Sequence, residues 1–159
     1  MATKAYRDAS QMRDDGVSSG DLTKAEYERL ATFRSALRHF LRQTELEARR
    51  LNLTPQHYQL LLSVKGFPGR DWATITELAE RLQIRHNAVI GLVNRAEARG
   101  LIVRMSGPEG SDRRIVQIHL TPAGEDVLRA LAAALRSERL RVREALVGLE
   151  RDLALDAVP

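Results

Sequence analysis

Between residues 22 and 51, Leu30, Phe33, Leu37, Phe40, Thr44, Ala48 and Leu51 follow one another at alternating steps of three and four. An α-helix turns once per 3.6 residues, so these side chains form one stripe. The segment predicts a helix of about seven turns. Leu22-Thr23-Lys24-Ala25-Glu26-Tyr27 marks its start. There the Thr23 hydroxyl can accept from the Glu26 amide while the Glu26 carboxylate reaches back, with Leu22 and Tyr27 placed as a hydrophobic staple. Residues 1–20 show no such period and contain Asp-Asp-Gly-Val-Ser-Ser-Gly, which predicts a mobile tail.

The stretch LTPQHYQLLLSVKGFP at 53–68 predicts a second helix. Thr54 is its cap, Pro55 takes the first helical position, where a missing amide costs nothing, and Gly66 and Pro68 stop it. A third helix follows a Thr74 or Thr76 cap and turns Ile75, Leu78, Ala79 and Leu82 inward. A fourth starts near Arg85, has Ala88, Val89, Leu92, Val93 and Ala96 on its apolar face, and stops at Gly100. The connection between Leu82 and Ala88 is too short for anything but two helices crossing steeply, a helix-turn-helix pattern. Beyond it, LIVRM and RRIVQIHL read as strands joined by turn formers over 106–111. Val116, Ile118 and Leu120 alternate inward with Gln117 and His119 outward. Helix, helix, hairpin is the order of a winged helix.

Thr121 and Pro122 restart helix, and Leu128, Leu131, Leu135, Val142, Ala145, Leu149 and Leu153 continue the stepping. Two long amphipathic segments therefore bracket a compact middle too small to cover them. Pairing them with each other and with a second copy of the chain buries both stripes, so a homodimer is expected. The fold class is mostly α (α+β): a winged helix-turn-helix with long N- and C-terminal dimerisation helices. The divisions are a tail over 1–20, a dimerisation helix over 21–51, a DNA-binding lobe over 52–121 and dimerisation helices over 122–156.

Composition narrows the function. A chain of 159 residues, 43% hydrophobic and 29% charged, is globular and holds one domain's core. The absence of cysteine excludes disulfides, thiolate zinc sites and thiol redox sensing. The four histidines, 39, 57, 86 and 119, include no pair at the i, i+4 spacing of a helical metal site, so no metal or cofactor is expected. No apolar run reaches membrane-spanning length and the N-terminus lacks a signal-peptide stretch; the expectation is no membrane partner and a cytoplasmic location. No Gly-rich phosphate loop, nucleophile elbow or cleft-forming carboxylate pair is present, which points away from an enzyme. The net charge of +4 is unevenly spread: Arg85, Arg95, Arg99 and Arg104 face only Glu97 across residues 85–104. That region adjoins Asp112-Arg113-Arg114 at the base of the hairpin. A solvated hairpin with one surface ion pair, worth about 0–1 kcal/mol, would explain those three residues alone. The preceding helix pair favours a polyanion instead.

Three stretches, LTPQHYQLLL, ITELAERLQIRHNAVIGLVNRAEARGLIVR and SDRRIVQIHLTPAG, resemble the MarR family of transcriptional regulators over roughly residues 22–150. The wing is the most specific part. The family's Asp-x-Arg, strand and Leu-Thr-x-x-Gly are matched by Asp112, Arg114, Leu120, Thr121 and Gly124. The resemblance implies a symmetric dimer with one winged helix per subunit that binds a pseudo-palindromic operator on double-stranded DNA and usually represses. It also implies release when a small aromatic or phenolic acid fills a cleft between the dimer helices and the DNA-binding lobes.

On this reading Arg85, His86 and Asn87 enter the major groove, where arginine can bind guanine and asparagine adenine with two hydrogen bonds each. Many family members begin this helix with Ser or Thr where this chain has Arg85, and Ile90 and Gly91 stand where polar or basic residues are common. Arg114 is placed at a minor groove, Asp112 holds the neighbouring guanidinium, and Arg113 and Arg104 take phosphates. Arg95 and Arg99 reach phosphate or solvate the helix. His39 or His57, with Tyr58, Phe40 and Arg38 or Arg42, offer apolar walls and cationic donors for an aromatic anion. The competing reading is a winged helix that serves as a protein-interaction module without DNA binding.

Overall fold

The structure is a computed structural model and describes residues 22–106 and 115–155. The chain runs α1 (Lys24–Arg50), α2 (Pro55–Lys65), β1 (Trp72–Ala73), α3 (Ile75–Leu82), α4 (His86–Ala98), β2 (Ile102–Ser106), β3 (Val116–Leu120), α5 (Pro122–Ala134) and α6 (Arg136–Leu155). The three strands form an antiparallel sheet in the order β1-β3-β2, with Trp72 opposite His119 and Arg104 opposite Ile118. The short β1 was not expected from the sequence; two residues carry no period.

Helix starts follow local chemistry. Thr23 and Glu26 form the expected box, with the Thr23 amide donating to Glu26 Oε2 at 2.5 Å. Thr54 caps α2 behind Pro55, and Thr74, rather than Thr76, caps α3 with Glu77 reaching back. Arg70 holds the approach to α3. Its guanidinium lies 3.7 Å from the Trp72 ring centroid and 4.4 Å from that of Phe67, and it is ion-paired with Glu77.

One core joins α2, α3, α4, β3 and α5. Leu60, Leu61, Val64, Leu78, Val89, Val93, Ile118, Leu131 and Leu135 are its largest fully enclosed side chains. Burial of each apolar side chain contributes about 1.5–3 kcal/mol. Ala88 is exposed, not part of the α4 apolar face, and Val116 is exposed although its strand neighbour Ile118 is buried. Leu22 and Tyr27 also remain exposed.

The C-terminal helical stretch breaks at Leu135, where the α5 cap is formed. The apolar period runs through this break because Leu135 itself is buried. From there α6 runs antiparallel along α1, so that Glu138 meets His39 while Arg141, Glu144 and Ala145 face the stretch from Ala31 to His39.

The Leu120-Thr121-x-x-Gly124 motif ties α5 to the end of α4. Gly100 turns the chain with φ +67°. The Thr121 hydroxyl donates to the Gly100 carbonyl at 2.6 Å and accepts from the Gly124 amide at 3.1 Å, while the Thr121 amide donates to the Leu101 carbonyl.

Candidate nucleic-acid interface

The helix-turn-helix connection is built on Gln83, which closes α3 in the left-handed conformation at φ 55°. This directs Ile84 and Arg85 into the start of α4. Arg85 occupies the cap position and supplies no side-chain hydrogen bond, and no acid lies in the first turn. By contrast α1, α2, α3 and α5 each place a threonine hydroxyl on an amide of their first turn. The first amides of α4 and its partial positive charge are therefore left to solvent beside a guanidinium, an arrangement that attracts anions.

With Val89, Leu92, Val93 and Ala96 turned inward, the opposite ridge of α4 consists of Asn87, Gly91, Asn94 and Ala98. Asn87, Asn94 and Ala98 are exposed. A Cβ added to Gly91 would lie 3.3 Å from Arg95 Nη1, so the Arg95 side chain folds back over the glycine. Arg85, His86, Arg95 and Arg99 are exposed, and the three arginines make no ion pair among the described residues.

Arg104 is placed differently. On strand β2, one of its terminal nitrogens is ion-paired with Glu97 and the other donates to Asn94 Oδ1 at 2.6 Å. Both partners lie on α4, so the guanidinium fork joins β2 to α4. Asp112, Arg113 and Arg114 lie outside the described residues.

The five residues expected to bind an aromatic anion lie on two helices, Arg38, His39 and Arg42 on α1 and His57 and Tyr58 on α2. Arg38 and Arg42 are exposed on α1. His39 lies in a groove of about 680 Å³ between α1 and α6, its Nδ1 2.7 Å from Glu138 Oε2 and 3.1 Å from Arg141 Nη1. His57, only 4% exposed, acts in the α2 cap: its Nδ1 accepts from the Thr54 amide at 3.3 Å, and its Nε2 is enclosed without a hydrogen-bond partner among the described residues. Burial first, and then the charges of Arg99 and Arg95, hold its pKa below the ordinary histidine value. Tyr58 is buried too, and burial pushes its hydroxyl pKa up against the opposing pull of Arg139.

Sequence reasoning missed Asn94, Glu97, Glu138 and Arg141. Asn94 carried one readable signal, its seven-residue spacing from Asn87 on the same ridge. The other three gain their places only through partners distant in the chain or across a turn.

A helix-turn-helix with an uncapped, cationic second helix and an antiparallel wing defines a winged-helix DNA-binding protein. The MarR family profile matches residues 51–115. The Bacillus subtilis uncharacterized HTH-type transcriptional regulator YsmB is 28% identical over 127 residues, covering 76% of this chain and 81% of its own. AbsC, a MarR family transcriptional regulator from Streptomyces coelicolor, has a structure matching at TM-score 0.59 and 25% identity, over 85% of this chain and 89% of AbsC. Two further solved proteins share the fold. A Staphylococcus aureus MepR mutant bound to an oligodeoxyribonucleotide matches at TM-score 0.58 and 22% identity, over 82% and 91% of the two chains. Bordetella bronchiseptica BpsR, whose DNA binding is regulated by 6-hydroxynicotinic acid, matches at 0.56 and 20%, over 76% and 94%. Over residues 51–115 the chain is similar to the MarR family, and the role these similarities support is that of a DNA-binding transcriptional regulator. Among the described residues no helix is long and apolar enough to cross a membrane.

Proposed function

We propose that the protein is a cytoplasmic repressor that binds a pseudo-palindromic operator as a homodimer and is released by a small aromatic acid. The observation that carries this reading is the start of α4. Its first amides meet the sugar-phosphate edge, while Arg85, His86 and Asn87 enter the major groove. Arg95 and Arg99 add phosphate contacts along the flank. Arg113 and Arg114 extend the contact from the wing, with Asp112 holding the neighbouring guanidinium. Two such units on a two-fold axis require half-sites about one helical turn apart.

Ligand release is supported by the fold shared with BpsR and by the aromatic and cationic side chains of α1 and α2. Arg38, Arg42 and His39 on α1 supply the cationic side, and His57 and Tyr58 on α2 the wall nearest the DNA-binding lobe.

The test is fluorescence anisotropy with the duplex that adjoins the protein's own gene, measured against an unrelated duplex at two salt concentrations. Tighter binding to the first, with log K falling steeply as log salt rises, is the expected result. Equal, weak and salt-insensitive binding to both would favour a protein-interaction module. Addition of 6-hydroxynicotinic acid or salicylate to the specific complex tests release.

A further inference from the structure

We propose that Asn94 determines base specificity as a hydrogen-bond donor only, and that Arg104 is the positioning residue that makes it so rather than a phosphate contact. This rests on the DNA-binding reading above and assigns a role that Asn87 and Arg85 do not fill. A guanidinium has donors and no acceptor, so the group Arg104 meets on Asn94 at 2.6 Å must be the amide oxygen. The Asn94 NH₂ is then the end left for the open ridge of α4. An asparagine with both ends free pairs with adenine by donating from its NH₂ and accepting at its oxygen. With its oxygen turned to Arg104, Asn94 presents its NH₂ at the ridge and meets a base as a donor, which suits the major-groove acceptors of guanine and thymine.

Arg104 is not available to the backbone. Its second nitrogen is ion-paired with Glu97, and moving it to a phosphate would leave that half-buried carboxylate unpaired beside a polyanion. Because Glu97 and Asn94 are three residues apart on α4, one planar fork grips both and fixes the Asn94 side chain against rotation. Along the helix axis Asn94 lies about 10 Å from Asn87, the span of about three base pairs. The two asparagines thus read separate positions, one with a free amide and one with a constrained amide.

The experiment selects duplexes from a randomised pool with the full chain, then measures the selected duplex and its single-base variants with Asn94→Ala, Arg104→Met, the double variant and Glu97→Gln. The wild-type pool is expected to prefer guanine or thymine over adenine, by roughly tenfold, about three base pairs from the position that Asn87→Ala relaxes. Asn94→Ala and Arg104→Met should each flatten that preference, the double variant should add nothing further, and Arg104→Met should leave the salt slope unchanged. Glu97→Gln keeps an acceptor for Arg104 and disturbs the fold least. It should preserve both the preference and the slope, whereas an Arg104 that binds phosphate would be freed by it and steepen the slope. A slope reduced by about one in Arg104→Met with the preference intact would overturn the proposal. Equal weakening of every duplex by Asn94→Ala would overturn it as well. If the wild-type chain enriches no duplex at all, the underlying DNA-binding reading fails instead.

Discussion

A methyl group at residue 124 would sit 2.0 Å from the Leu101 carbonyl oxygen, so α5 starts there only because glycine has no Cβ. Gly124→Ala should therefore destabilise the chain by about 1–3 kcal/mol or more, read from the urea unfolding midpoint, since the obstacle is backbone and cannot rotate away. In the sequence Gly124 was legible as part of a motif, but the reason for it was not, because Leu101 lies across a turn and a strand pair. His57 shows the same limit: it stands where a capping box usually has Glu or Gln, and its burial comes from packing. Its lowered pKa makes stability depend on pH. Below the ordinary value of 6.5 the unfolded chain binds the proton more readily than the fold does. Above that pH both states are neutral and His57 contributes no pH dependence. As pH falls below it, stability is lost, until the lowered folded value is passed. Glu26 and Glu77 are held below 4.5, so the stability they supply is present above that value and disappears only in more acid solution. His57→Gln retains a capping side chain without a titrating ring. Its urea midpoint should change less than that of the wild type between about pH 7 and pH 5. An unchanged slope would show that the His57 ring does not resist protonation in the fold.

Helix starts were legible because a cap needs only residues three apart: Thr23 with Glu26, Thr54 ahead of Pro55, and Thr121 ahead of Pro122 all stand where the sequence placed them. The division between α5 and α6 was not legible, since an apolar residue at 135 continues the period whether or not the backbone breaks. Ala88 was misassigned for a related reason. Alanine fits a buried or an open face equally, and the first turn of α4 projects beyond the core. Of the proposed interface, Arg85 and Asn87 could be named from the sequence, whereas the tie from β2 to α4 required the strand's position. The unfilled cap at Arg85 sets stability against binding within one element. Arg85→Ser should add the missing acceptor and stabilise the chain by about 1 kcal/mol in urea unfolding. The same change removes a cation from the helix start, so operator affinity should fall and the salt slope should shrink by about one. A more stable variant with unchanged affinity and slope would remove Arg85 from the interface.

At the scale of the molecule, the apolar stripes of α1 and α6 are only partly used within one chain. The antiparallel pairing half-covers Val142, Ala145 and Leu149 on α6, yet leaves Leu140 47% and Val147 39% exposed, with Tyr27 and Leu30 exposed on α1. The period alone predicted two amphipathic segments in need of cover. It could not say which side chains the segments would cover for each other, because that depends on their relative rotation. Leu140 and Val147 are seven residues apart and so share a side of α6, where a second copy would remove them from water. Replacing both with lysine introduces two like charges into that proposed contact without touching α4 or the wing. Sedimentation equilibrium should then give the 17.9 kDa of one chain, where the wild type should give twice that mass. Separation of the two winged helices also removes the tethering of one half-site contact to the other, which is worth about 10²–10⁴ in affinity. Operator binding should fall by an amount in that range while thermal unfolding still shows one cooperative transition. A variant that stays dimeric would place the interface on another face. A wild type that sediments as one chain at micromolar concentration would remove the two-fold geometry, and with it the expectation of paired half-sites.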